Sequence, residues 1–199
     1  MKVSREQAAE NRQRIVEVAA RLFRERGFDG VGVADLMKTA GLTHGGFYGH
    51  FRSKEALMAE ACEQAISTTG RHWKATLAAS ESPALEALAE GYLSTNHRDN
   101  PGNGCVIAAL ANDAARQAPP VRQVYTRSVK RFIDTLSQAL PGRAEADRRQ
   151  QAVAACASMV GALILARAID DDALSQEFLD AVAAQLPHTN RADSGTGSH

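Results

Sequence analysis

The 199-residue chain is short of several things, and each shortage removes a class of protein. Aromatic residues make up only 5% of it, with a single tryptophan. β-Branched runs are scarce while alanine is abundant, which favours helices over sheet. Three cysteines, an odd number without close pairing, give no disulfide framework and fit a reducing cytoplasm. No sign of charge dominates, since 23 Lys/Arg stand against 23 Asp/Glu. That balance argues against a nucleic-acid binder that relies on overall charge. The longest apolar run, 152–166, includes Ser158 and ends at Arg167. It falls short of the ~18–20 residues that span a bilayer, so a buried helix and no membrane contact are expected. The N-terminus is polar, so no signal segment is expected.

What is present centres on residues 27–57, GFDGVGVADLMKTAGLTHGGFYGHFRSKEAL. Val33, Leu36, Met37 and Ala40 fall at i, i+3, i+4 and i+7, the mark of one helix face. Gly41 stands where that helix must stop, and Thr43 is a hydroxyl N-cap for a second short helix. Phe47 and Phe51, four apart, turn one side of the second helix inward. Two short helices joined by a tight glycine turn make a helix-turn-helix, here about 33–52, which lays its second helix in the DNA major groove. The outer face carries little bulk (His44, Gly45, Gly46, Gly49), so a duplex backbone can approach. Tyr48 and His50 add polar reach, and Arg52 and Lys54 add positive charge. Residues 1–60 hold ten Lys/Arg against eight Asp/Glu, a small excess of the right sign for DNA.

The run AGLTHGGFYGHFRSKEAL resembles the N-terminal domain of the TetR family of bacterial transcription regulators. It has the turn glycine, the small hydroxyl cap, the aromatic Tyr, His-Phe and the Ser-Lys-Glu-x-Leu helix start. The resemblance covers roughly residues 10–60; the remainder matches in length and all-helical character. It implies an all-α fold: a three-helix DNA-binding domain over 1–60 and a helical ligand-binding and dimerisation domain over 61–187. It further implies a repressor that binds a palindromic operator as a homodimer and is released by a small-molecule inducer. Thr43, Tyr48, His50 and Lys54 match positions used for DNA backbone contacts, and His44, Gly45 and Gly46 lie within reach of base edges. Tyr48 could equally be core packing. Val31-Gly32 departs from the family's Thr or Ser before the first helix of the motif, which removes a cap worth ~1 kcal/mol.

Along the chain, a first helix carries Ile15, Val18, Ala19, Leu22 and Phe23 on one face and ends at Gly27. The arm 1–11, with Lys2 and Arg5, is either a DNA contact or a frayed terminus. Ser53 caps a long helix to about Ala79, and another helix runs from Ala84 to about Ser94. HRDNPGNG (97–104) reads as a loop. Cys105 opens a helix to about Gln117, and Pro119-Pro120 starts a further one with the stripe Val121, Val124, Tyr125, Val129, Phe132, Ile133 and Leu136. Two final helices, about 144–169 and 172–186, are the candidates for dimerisation. The first is apolar most of the way round, which predicts burial; the second carries Leu174, Phe178, Val182 and Leu186 on one stripe. Residues 188–199, polar and Gly/Ser-rich, read as a disordered tail.

For the sensor half, Trp73, Tyr92, Tyr125, Phe132 and Met159 are candidate pocket residues, each also readable as ordinary core. Cys105 follows a glycine-rich loop and opens a helix, whose dipole favours thiolate. A Gly-Cys pair here resembles TetR-type regulators that sense electrophiles or oxidants; the other reading is a small buried apolar residue. Cys62 and Cys156 read as packing. No cofactor and no metal are expected: the six histidines do not pair with cysteines or carboxylates at ligand spacing, and glycines 41–49 lack a phosphate-loop ending. An enzyme is therefore not expected. A helical adaptor that binds only protein would explain the helices, but not the glycine-stripped face with its basic flank.

Overall fold

A computed structural model describes residues 4–140 and 144–186, and within them all regular structure is helical. The first three residues of the expected arm, residues 141–143 and the tail fall outside the described residues, and the rest of the arm, 5–11, is helical. α1 (Arg5–Arg26) is capped by Ser4, whose hydroxyl accepts the Gln7 N–H, and ends at Gly27. α2 (Val33–Thr39) and α3 (Phe47–His50) follow, then α4 (Lys54–Ala79), opened by the Ser53 hydroxyl accepting the Ala56 N–H. Ile15, Leu22 and Phe23 of α1 join Phe28, Leu36, Met37, Phe47 and Leu57 in a core closed to solvent. Each such side chain contributes about 1.5–3 kcal/mol by leaving water.

The same core continues into the larger half. α5 (Ala84–Tyr92), α6 (Thr95–Asp99), α7 (Val106–Ala115) and α8 (Pro119–Ala139) lead to the pair α9 (Glu145–Ala168) and α10 (Asp172–Gln185). α4 packs on α1 in one direction and on α8 in the other, and α9 lies between α8 and α10. Asp171 caps α10 by accepting the N–H groups of Ala173 and Leu174.

Several expectations need correction. The segment 97–104 is not an open loop. It forms the end of α6 and a 3-10 turn, Pro101–Asn103, packed on α1, and Ser94 caps α6 rather than ending α5. α9, expected to be buried, is buried on one side only: Val153 and Leu165 are each 45% exposed, and nothing lies within 4 Å of a Cβ placed on Gly161. On α10 the inward residues are Ser175, Leu179 and Leu186, while Leu174, expected on the stripe with Leu186, is exposed. α9 is also long and apolar enough to cross a membrane by length and composition, contrary to the reading of its apolar run. It nevertheless packs against α8 and α10 within the bundle.

Candidate DNA-binding face and effector cavity

The turn between α2 and α3 is built by backbone hydrogen bonds. Leu42 N–H donates to the Met37 carbonyl at 2.8 Å and Gly41 N–H to the Lys38 carbonyl at 3.0 Å, the bond pair that closes a helix with a left-handed residue. Gly41 sits at φ +71°, which a residue without Cβ takes without strain. Thr43 occupies the cap position, but its hydroxyl accepts no backbone N–H. The expected cap bond is missing because the helix starts as a tighter 3-10 turn, His44–Gly46, closed by Gly46 N–H on the Thr43 carbonyl at 3.0 Å.

Phe47 and Phe51 are buried, with ring centroids 5.6 Å apart. The Arg12 guanidinium lies 4.6 Å over the Phe51 ring and pairs with both oxygens of Glu60, tying α1, α3 and α4 together. Sequence reasoning missed Arg12, because an arginine on the polar face of an amphipathic helix carries no signal of what it meets. Outside, Thr43, His44, Gly45, Gly49 and Arg52 are exposed, and Tyr48 is 71% exposed, so the core reading of Tyr48 is excluded. A Cβ on Gly45 or Gly49 would meet nothing within 4 Å. Gly46 differs. It is half-buried, and a Cβ there would touch the Met37 side chain at 3.5 Å, so it belongs to the seat of the turn and not to its open face. His50 is half-buried beside Phe51. The Lys54 ammonium donates to the Phe28 carbonyl at 2.6 Å, which leaves two of its three hydrogens for another acceptor.

In the larger half, a cavity of about 540 Å³ opens between α4, α5, α7 and α8, within the usual range for small-molecule sites. Trp73, Tyr92, Phe132 and Cys105 line it. Tyr125 and Met159, the other two expected pocket residues, do not: Met159 is fully buried core, and the Tyr125 hydroxyl donates to the Ile107 carbonyl at 3.1 Å. Tyr92 stacks on Phe132 at 5.2 Å and on Trp73 at 6.0 Å. Its hydroxyl is buried on the side of Cys105 without a hydrogen bond of ordinary geometry, and burial holds the phenol well above its usual range. Burial likewise pushes the thiols of Cys62 and Cys156 up, to about 12 and about 11. Both are packed in the core and poorly reactive at neutral pH.

The junction between the two halves was not legible beforehand. Buried His97 donates from Nδ1 to the Tyr92 carbonyl at 2.7 Å and accepts the Cys105 N–H on Nε2 at 2.9 Å. Accepting on Nε2 needs a neutral ring, and burial lowers its pKa to about 4. Arg167 of α9 donates to the carbonyls of His97 and Arg98 at 2.6 and 2.9 Å. Four residues after Arg98, the Gly102 carbonyl accepts from Arg24 Nε of α1 at 2.9 Å, in a buried contact. A cavity wall and the half that carries the helix-turn-helix are thus linked through one short segment. Among the described residues, no three His, Cys, Asp or Glu side chains gather where they could hold a metal ion.

Residues 15–61 match the family described as bacterial regulatory proteins, tetR family, and residues 82–185 match the LmrA/YxaF-like transcriptional regulator C-terminal domain. The second match alone spans more than half of the chain. The chain belongs to the TetR family of transcriptional regulators. It is a DNA-binding regulator of a non-catalytic family. An HTH-type transcriptional regulator of Mycobacterium tuberculosis is 30% identical over 90% of this chain and 98% of its own length. The transcriptional repressor DhaR of a Mycobacterium species is 29% identical over 61% of each chain, so that match spans about three fifths of DhaR. The reduced form of Escherichia coli NemR superposes with a TM-score of 0.74 at 26% identity, covering 89% of this chain and 95% of that one.

Proposed function

We propose that this TetR-family chain is a repressor that binds a palindromic operator as a homodimer and leaves it when a small molecule fills the cavity. The observation that carries this reading is the open face at 43–49, where Gly45 and Gly49 have no neighbours and Tyr48 stands in solvent. Thr43, Tyr48, His50 and Lys54 would hold phosphates, while His44 and Gly45 approach base edges. His44 alone carries a hydrogen-bonding side chain there, so direct readout is sparse and operator shape supplies part of the specificity. Among the described residues, three of the four exposed large hydrophobics, Val153, Leu165 and Leu174, lie on α9 and α10. That supports a four-helix interface with a second copy.

Release requires the ligand to prefer the form that does not fit DNA; equal affinity for both forms shifts nothing. The path on offer runs from Tyr92 and Cys105 through His97 to the 3-10 turn and Arg24 of α1. Cys105 is the one cysteine lining the cavity, which favours a covalent variant: an electrophile alkylates its thiol and moves the same wall. If complete alkylation with N-ethylmaleimide leaves operator affinity unchanged, that variant is wrong. The reading as a whole is tested by selecting bound sequences from random DNA. It expects an inverted repeat with half-sites about one helical turn, ~34–36 Å, apart. No enrichment, or a monomer by mass at micromolar concentration, would remove it.

A further inference from the structure

The cavity has a chemical character beyond its shape. Three cations line it, Arg71 and Lys74 from α4 and Arg131 from α8, against one carboxylate, Asp134. Asp134 is already engaged by Arg149 at 3.4 Å. Arg71 donates only to the hydroxyls of Ser67 and Thr68. Among the described residues, the Lys74 ammonium and the Arg131 guanidinium have neither an ion pair nor a hydrogen-bond partner. Further in, the walls are aromatic, with Trp73, Tyr92 and Phe132 face to face. The Tyr92 hydroxyl is buried on the side of Cys105 without a hydrogen bond of ordinary geometry, a state that costs free energy until a better acceptor arrives.

We propose that this cavity takes an amphipathic organic anion. A flat apolar body lies against Trp73, Tyr92 and Phe132, an acceptor oxygen at its inner end receives the Tyr92 hydroxyl, and a carboxylate at its outer end meets Lys74 and Arg131. The aromatic walls alone would also attract an organic cation. The surplus of positive charge turns that class away, because a like charge brought next to unpaired cations is penalised. This inference rests on the cavity being the effector site, and it adds what kind of effector.

The test is calorimetric titration of the full chain with three probes that share one body: biphenyl-4-carboxylate, biphenyl-4-carboxamide and biphenyl-4-methylammonium. The carboxylate binds at least ~10-fold tighter than the amide, and the ammonium binds weakest. Replacing Lys74→Gln and Arg131→Gln together reduces the carboxylate advantage to about 2-fold, whereas Lys130→Gln, elsewhere on α8, leaves it intact. A 4′-acetyl group on the carboxylate probe tightens binding to the wild type and not to Tyr92→Phe. Equal binding of the three head groups, preference for the ammonium, or no heat with any probe overturns the anion assignment. Operator binding is then read with the carboxylate at saturation. If the probe binds with the stated selectivity and operator affinity does not move, the ligand class stands and the effector reading falls.

Discussion

The segments 44–50 (HGGFYGH) and 97–105 (HRDNPGNGC) each open on a histidine and carry more than one glycine. Their glycines are put to opposite uses. At Gly45 and Gly49 the missing Cβ leaves open space. At Gly104 a Cβ would stand 2.7 Å from His97 Nε2, and at Gly102 it would collide with Glu25. In the first segment glycine makes room for a partner; in the second it lets the chain pack against itself. The histidines divide in the same way, since His44 is exposed and His97 is buried between two backbone hydrogen bonds. A surface that must receive a duplex is left empty, and a joint that must hold two halves together is filled.

Acid should break the comparison most strongly. Burial does most to lower the His97 pKa; Arg167 and His72 lower it further, and the bond to the Tyr92 carbonyl opposes them. The unfolded chain takes up this proton near the ordinary value of 6.5, the folded chain only near pH 4. Stability from neutral His97 is therefore present above pH 6.5 and lost as pH falls towards 4, by roughly 3 kcal/mol. Thermal unfolding followed from pH 7 to 4 should show this slope, flattened in His97→Gln. An equal slope in that variant would exclude His97 as its source.

Alanine sharpens the contrast by a smaller margin. Gly104→Ala pushes on an imidazole held at both nitrogens and should cost about 1–3 kcal/mol. Gly45→Ala enters open space without a left-handed backbone and should be neutral or stabilising, by up to about 1 kcal/mol. Denaturant titration of the two variants compares them directly. Equal losses would mean that the two glycines serve the same purpose.

The sequence carried the helices well where spacing and caps act locally. Ser53, Gly27, Gly41 and Asp171 stand at helix ends, and the Phe47/Phe51 pair points inward. What it could not carry were choices made between distant segments. Glycine, proline and asparagine at 97–104 give the same signal whether the chain is loose or packed closely on α1. Tyr125 and Phe132 share a stripe of α8, but positions seven apart differ by about 10 Å in height; one reaches the Ile107 carbonyl and the other the cavity. The apolar run 152–166 of α9 reads as covered on every side, whereas the fold leaves Val153 and Leu165 open. The cap expected of Thr43 failed because periodicity does not distinguish a 3-10 start from an α-helical one.

The most direct test places a glutamate at Gly45 and measures affinity for the selected palindrome alongside thermal stability. The open-face account predicts affinity lower by about 100-fold or more, from bulk and negative charge set against phosphates, with the unfolding temperature essentially unchanged. Operator affinity within about 2-fold of the parent, in a chain that remains folded, would contradict it.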